Sequence, residues 1–344
     1  MQKLDIHQPY DFFEYIRIED SVPAAAHDRI DVAVLDMNHF WPNVGHDSLV
    51  HAVLETAGEF EDELKGIGAK VRVLSYDVRR RNAIPESPNG RFQLYIGTGG
   101  PGHLDPRLND GTSEWSQGVR EDASWEAPLF KLFDDLLAHR TAAFLAVCHS
   151  FGLVCRWSGI ARPELRDEKS SGMPLNRLSR EALQHPWFEQ FGRELPDGQH
   201  FRVVDNRLFD LTLESAGKSA PIAFEEGGNT ALTMIELARD PGGAMPRFLG
   251  VNHHPEIIDR DHIMQVLDEK RAHGEVSEKW YSERATTMRD LFRGENERQS
   301  RLTSHYSLLG PLRFHLERLI VERRPLSAAE FSREPGGRSG RRST

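Results

Sequence analysis

Long apolar runs, a surplus of basic residues and a set of cysteines are all missing from this chain of 344 residues. No stretch approaches the ~20 apolar residues that cross a bilayer, so no membrane partner is expected. Met1–Asp5 show nothing of the apolar core of a secretory leader, and the expected location is the cytoplasm. The formal net charge is -10. Phosphate binding needs a basic face, so a nucleic-acid partner is not expected either. Two cysteines, Cys148 and Cys155, cannot make a disulfide framework. On one helix they stand ~10 Å apart along the axis at 1.5 Å per residue, out of disulfide reach. A reduced thiol with a task fits better than a staple. Internal repeats and a P-loop are absent too, and no cofactor is expected.

What is present is a strand–helix alternation. Ile30–Leu35, Val71–Leu74, Phe92–Ile96 and Ala142–Val147 read as short buried strands. Residues 47–66 and 126–139 carry apolar positions at helical spacing, the second with Leu129, Phe130, Leu132, Phe133, Leu136 and Leu137 inward. Turn residues Pro42 and Asn43 follow the first strand. This alternation predicts a parallel sheet covered on both faces, with its site beyond the carboxyl ends of the strands. Residues 1–28 read as an N-terminal extension, and 156–200 as loops with short helices. Strands return at 201–204, 208–213, 222–224 and 248–252. Past 265 the character changes. Two amphipathic helices, 277–293 and 311–322, make a C-terminal appendage over 266–333, and the Gly/Ser/Arg-rich 334–344 reads as a disordered tail.

Three segments carry chemistry. The apolar strand before Cys148 breaks into Ser150-Phe151-Gly152, the pattern of a nucleophile elbow with a helix mouth facing the sulfur. Small residues must flank such a turn, and Ala146 and Ser150 do. The bland alternative is an inert core cysteine. Gly97-Thr98-Gly99-Gly100-Pro101-Gly102 matches G-x-G-x-x-G letter for letter, but no helix opens there as a dinucleotide site requires. It reads instead as a flexible loop or an oxyanion cradle, with N–H groups of Gly99 and Gly100 joined by that of His149. His254-Pro255-Glu256 supplies an imidazole and an orienting carboxylate, or else a surface turn. A metal reading of His253, His254 and Glu256 lacks a second ligand cluster.

In these residues the chain resembles the class I glutamine amidotransferase family. Gly97–Gly102 is similar to that family's G-[ST]-G-G-P loop, Ala146–Ser150 to its G-x-C-x-G elbow, and Gly250–Glu256 to its G-x-Q-[FWY]-H-P-E motif. The segments lie in the family's order, about 50 and then about 100 residues apart. The resemblance covers residues 29–265. It implies a flavodoxin-like three-layer sandwich with a mostly parallel sheet, and a triad of Cys148, His254 and Glu256. It also implies an oxyanion hole of Gly99, Gly100 and His149. Pro101, Ser150 and Gly152 are then assigned to the substrate pocket. The elbow departs from the usual C-x-G-x-Q, with Ser150 and Gly152 at the two later positions. Cys148-His149 is also similar to a second kind of elbow, Ala-x-Cys-His-Gly, whose adjacent histidine is the base.

The expected function is thiolate attack on an amide such as that of glutamine, through a thioester. The alternatives are a cysteine hydrolase or acyltransferase on another amide or ester, and a binding protein that keeps the fold without turnover. No synthetase unit is recognisable in the chain, so ammonia would pass to a separate protein partner or be released. A homodimer is also open. The stripe of Trp280, Met288 and Phe292 reads as packing or as a docking face. Arg79-Arg80-Arg81 reads as a solvated charge run, and Glu225-Glu226-Gly227-Gly228 as a turn.

Overall fold

The computed structural model describes residues 5–39, 44–88, 90–167, 169–215, 217, 219–227, 231–258, 260–274 and 276–324. The turn at Pro42–Asn43, Gly228 and the tail at 334–344 lie outside these residues. The strands, in chain order, are β1 (Phe13–Ile18), β2 (Arg29–Asp36), β3 (Lys70–Asp77), β4 (Phe92–Gly97), β5 (Ala143–Val147), β6 (Ala161–Leu165), β7 (Leu175–Leu178), β8 (His200–Arg202), β9 (Phe209–Leu213), β10 (Ala220–Glu225), β11 (Leu232–Arg239) and β12 (Pro246–Val251). The helices are α1 (Val44–Gly58), α2 (Glu61–Gly66), α3 (Val78–Arg81), α4 (Glu126–Ala138), α5 (His149–Ser158), α6 (Pro186–Glu194), α7 (Arg260–Ala272), α8 (Glu278–Leu291), α9 (Gly294–Ser304) and α10 (Gly310–Glu322).

Ten strands share one sheet in the order β1-β3-β2-β4-β5-β12-β11-β10-β7-β8. The run from β1 to β12 is parallel, and the four strands beyond it are antiparallel. β5 shows why its sequence is apolar throughout. Ala143, Leu145 and Val147 pack into one layer with α1 and α10, while Phe144 and Ala146 pack into the other with α4 and α5. Successive residues of a strand face opposite ways, so a sheet covered on both sides needs an unbroken apolar run. The architecture is a flavodoxin-like three-layer α/β sandwich with further C-terminal helices. β6 and β9 form a separate two-stranded sheet.

Four features differ from the sequence pattern. Residues 13–18, inside the expected extension, form the edge strand β1 paired in parallel with β3. β6, β7 and β11 have no counterpart in the expected strands, because Arg, Asn and Pro interrupt the first two and β11 was masked by its mixed polar pattern. Helix α4 buries Leu129, Leu132, Phe133 and Leu136, while Leu137 is exposed. Helix α10, in the expected C-terminal helical appendage, docks on the main sheet. Leu312, Leu316, Leu319 and Ile320 share a core with Leu49, Val50 and Val53 of α1, so it covers one face of the sheet.

The docking of α5 constrains the two strands beside β5. A Cβ at Gly97 of β4 would lie 2.5 Å from Ser150 Oγ, and one at Gly250 of β12 would lie 2.4 Å from the Phe151 ring. Both strands therefore need glycine for the helix to begin where it does. Gly250→Ala is expected to cost about 1–3 kcal/mol through overpacking. A urea midpoint equal to that of the parent would contradict this close approach.

Candidate active site

Cys148 sits at the carboxyl end of β5 and caps α5 with φ 49° and ψ -104°, a left-handed conformation rare for a side-chain-bearing residue. The turn is held from both sides. Cys148 N donates to Val251 O at 2.8 Å, and Cys148 O accepts the first helical bond from Gly152 N at 2.9 Å. The strained residue thus presents its sulfur at the mouth of a ten-residue helix. Cys155 lies deep in the core, where burial pushes its thiol far up, so the two cysteines differ completely in setting.

His254 leaves the end of β12, and its N–H donates to Val204 O at 2.8 Å. Its Nδ1 lies 2.8 Å from Glu256 Oε1. Its ring is also hydrogen-bonded to the Cys148 side chain. Glu256 is 1% exposed, and its Oε2 has no partner among the described residues. Burial alone would push the His254 ring down. The Glu256 carboxylate and the Cys148 sulfur outweigh it and hold the ring well above its ordinary value. Three serines spaced along the C-terminal helices fasten this loop: Ser304 Oγ donates to Pro255 O at 2.5 Å, Ser300 Oγ to Ile257 O at 3.3 Å, and Ser307 Oγ lies 3.1 Å from His253 Nε2. His253 is turned away from the cysteine into the core, where burial pushes it down to about 3. The three groups of the metal reading therefore do not converge, and no cluster of three His, Cys, Asp or Glu suited to a metal occurs among the described residues.

The glycine loop lies against the same pair. A Cβ at Gly99 would meet His254 Cε1 at 3.0 Å and Cys148 Cβ at 3.4 Å, so only glycine leaves that space open. Among the described residues the N–H groups of Gly99, Gly100 and His149 take no hydrogen bond within the protein. Thr98 stitches the loop in place. It donates from N to Leu35 O at 3.0 Å, accepts Met37 N on Oγ1 at 2.9 Å, and accepts Ser150 Oγ on its carbonyl at 2.7 Å. Arg79 braces the loop from beneath, donating to Met37 O at 2.9 Å and Pro101 O at 2.7 Å while paired with Glu121 at 2.6 Å. Both members of that ion pair are buried, so Arg79 is a scaffold and not part of a solvated run. The adjacent His149 is buried and hydrogen-bonded to the Gly100 backbone. Burial, with Arg79 and His103 alongside, keeps it well below the ordinary range. Its ring is engaged with Gly100, whereas the ring joined to Cys148 is that of His254.

Cys148 and His254 open into a cavity of about 360 Å³. Gly100, Pro101 and Gly152 line it. Ser150, expected there, does not. It is fully buried, its hydroxyl spent on Thr98. One wall comes from the C-terminal helices. Ile263 and Leu267 of α7 and Trp280, Met288 and Leu291 of α8 face the cavity, so the stripe read as packing or docking closes the site itself. Lys169, Asp205, Arg207 and Arg284 also line it, and the sequence carried no local signal for any of them. Glu225 ends a strand instead of forming a turn, and pairs with Arg166 and Arg207 behind that wall.

No family model and no curated protein sequence matches the chain. Solved structures do resemble it. One is a glutamine amidotransferase from Thermotoga maritima, with 14% identity, a TM-score of 0.45, and 84% of this chain and 98% of that one covered. Another is a glutamine amido transferase from Methylobacillus flagellatus, with 13% identity, a TM-score of 0.46, and 91% and 99% covered. At TM-scores below 0.5 the likeness is coarse, and the site stands on its own geometry.

The pair of His254 and Glu256 gives a titration to measure. A ring whose folded value is raised stabilises the fold fully below its unfolded value of ~6.5, and that contribution fades as pH rises through the folded value. Nuclear magnetic resonance of the ring should therefore show it still charged above pH ~6.5. Glu256→Gln should move its midpoint down. A midpoint unmoved by that change would show that the carboxylate does not control the ring.

Proposed function

We propose that the protein is a cysteine-nucleophile enzyme of the amidotransferase–hydrolase type, acting on a carboxamide such as that of glutamine. The observation that supports this most directly is the meeting of two separate segments at one cavity: a strained cysteine at a helix mouth, and an imidazole hydrogen-bonded to it with a buried carboxylate behind. These are the nucleophile, base and orienting acid of acyl transfer.

The chemistry balances as follows. Cys148 thiolate attacks the carboxamide carbon, a C–S bond forms, and the carbonyl becomes an oxyanion. The unengaged N–H groups of Gly99, Gly100 and His149 receive that charge. The C–N bond breaks, and ammonia departs with the proton held on His254 Nε2. A thioester remains. Water attacks it, giving its proton to His254, and the C–S bond breaks to release the carboxylate. Glu256 accepts the Nδ1 hydrogen, so Nε2 carries the moving proton. The elevated His254 ring suits the first half, since an imidazolium must be present when ammonia leaves. Ammonia would be released or passed to a separate protein partner.

Cys148→Ala is expected to abolish ammonia release from glutamine or a related amide. His254→Ala should lower it by about 10²- to 10⁴-fold. Acid quench of wild type with substrate should show an acyl mass on Cys148. Turnover that survives Cys148→Ala would end the proposal. The alkaline limb of kcat/KM belongs to His254, so Glu256→Gln should move that limb to lower pH.

A further inference from the structure

Two cations face the catalytic cavity without a counter-ion. Lys169 stands in the loop between β6 and β7, and Arg284 on α8, so they come from distant parts of the chain onto one wall. Neither has a carboxylate within ion-pair distance among the described residues. Arg284 Nη2 donates to Asn206 Oδ1 at 3.3 Å, and its guanidinium lies 5.7 Å from the centre of the Trp280 ring. Asp205 is the sole carboxylate lining the cavity among the described residues; its Oδ2 is engaged by Arg207 Nη1 at 2.7 Å and Ser170 Oγ at 2.5 Å, while its buried Oδ1 has no hydrogen-bond partner among the described residues.

The wall is built, not loose. Ser170 N donates to Arg207 O at 2.9 Å, Gly172 N to Asp205 O at 3.2 Å, and Asp205 N to Gly172 O at 2.9 Å, so the Lys169 loop is tied to the strand-like segment carrying Asn206. Lys169 and Arg284 are close enough to repel. Burial first, then Arg284, pulls the Lys169 amine below its ordinary value, with Cys148 and Asp205 acting the other way. Burial does the same to Arg284. Two like charges held together away from water raise the energy of the empty site, and an anion placed between them relieves both costs.

We propose that Lys169 and Arg284 form an anion subsite that selects carboxamides carrying a second, negatively charged group. This rests on the Cys148 reading given above. The amide carbon would meet Cys148, an apolar linker would run along Trp280, Met288 and Leu291, and the anionic end would sit between the two cations. Arg284 supplies a planar fork and Lys169 a point charge, a combination that suits a carboxylate or a phosphate.

The experiment measures binding and reactivity separately. Calorimetry on Cys148→Ala compares succinamate, glutaramate and adipamate with their neutral diamides and with inorganic phosphate. At least one acid should bind more tightly than its diamide by a factor on the order of ten to a hundred. Added Lys169→Met and Arg284→Met should each shrink that ratio, and together remove it. Arg284→Lys and Lys169→Arg, which keep the charge, should preserve most of it. Phosphate that binds, and is lost with the double change, would place a phosphate-bearing amide in the site in preference to a carboxylate. Acids and diamides that bind equally, or not at all, overturn the proposal, as does a preference that survives the double change. Alkylation of wild-type Cys148 by iodoacetamide reports independently on the nucleophile. An inert Cys148 beside an intact anion preference would refute the catalytic reading alone.

Discussion

A carboxylate out of reach of water, with one oxygen unpartnered, is the constraint on which this site depends. Glu256 would be costly to keep ionised in that position without a compensating charge. His254 provides it at 2.8 Å, and the Cys148 sulfur draws on the same imidazole from the other side. Protonation of His254 is thus favoured from two sides, by Glu256 and by Cys148. The serines of α9 and the segment joining it to α10 then have a clear purpose. By holding the backbone of Pro255 and Ile257, they keep the carboxylate from swinging toward solvent, where its influence on the ring would be lost.

The opposite half of the site is built from backbone. A developing oxyanion needs N–H groups that are already aimed, because donors that must reorganise recover little of their energy. The loop of Gly99 and Gly100 has no secondary structure to aim it. Its rigidity comes from Thr98 above and from the buried pair of Arg79 and Glu121 below. Such a pair is weak evidence for stability, since desolvation offsets its attraction. Its geometry is another matter. One guanidinium binding Met37 O and Pro101 O ties the far end of the loop to the end of β2.

Sequence made the three segments that meet at the cavity legible because each is a local signal. A strand that breaks at Cys148, a run of bare glycines and a His-Pro-Glu turn all announce themselves within six residues. The parallel half of the sheet was legible for the same reason, as unbroken apolar runs. What escaped was everything set by distant contacts. Ser150 looks like a pocket residue until the carbonyl of Thr98 takes its hydroxyl. Arg79 looks like one of three surface charges until Glu121 buries it. Helix α10 has an ordinary amphipathic stripe, and nothing in that stripe says that it covers the sheet beside α1.

The placement of α7 and α8 bears on how such a site can be specific. The parallel sheet delivers Cys148, His254 and the Gly99–Gly100 loop to one edge, and that edge alone is an open crevice. It would accept any amide and admit water freely. Closing the crevice with helices from the far end of the chain separates two tasks. The sheet holds the reacting groups, whose positions tolerate little change, while the added helices shape the wall that the rest of the substrate meets. Side chains on α8 can therefore vary without disturbing the elbow, because Met288 and Leu291 pack among Ile263, Leu267 and Phe292 instead of against Cys148's own strand. On the proposed reading, chemistry and selectivity draw on different parts of the fold, joined at the cavity and where Val204 and Ile257 pack with α7 and α8.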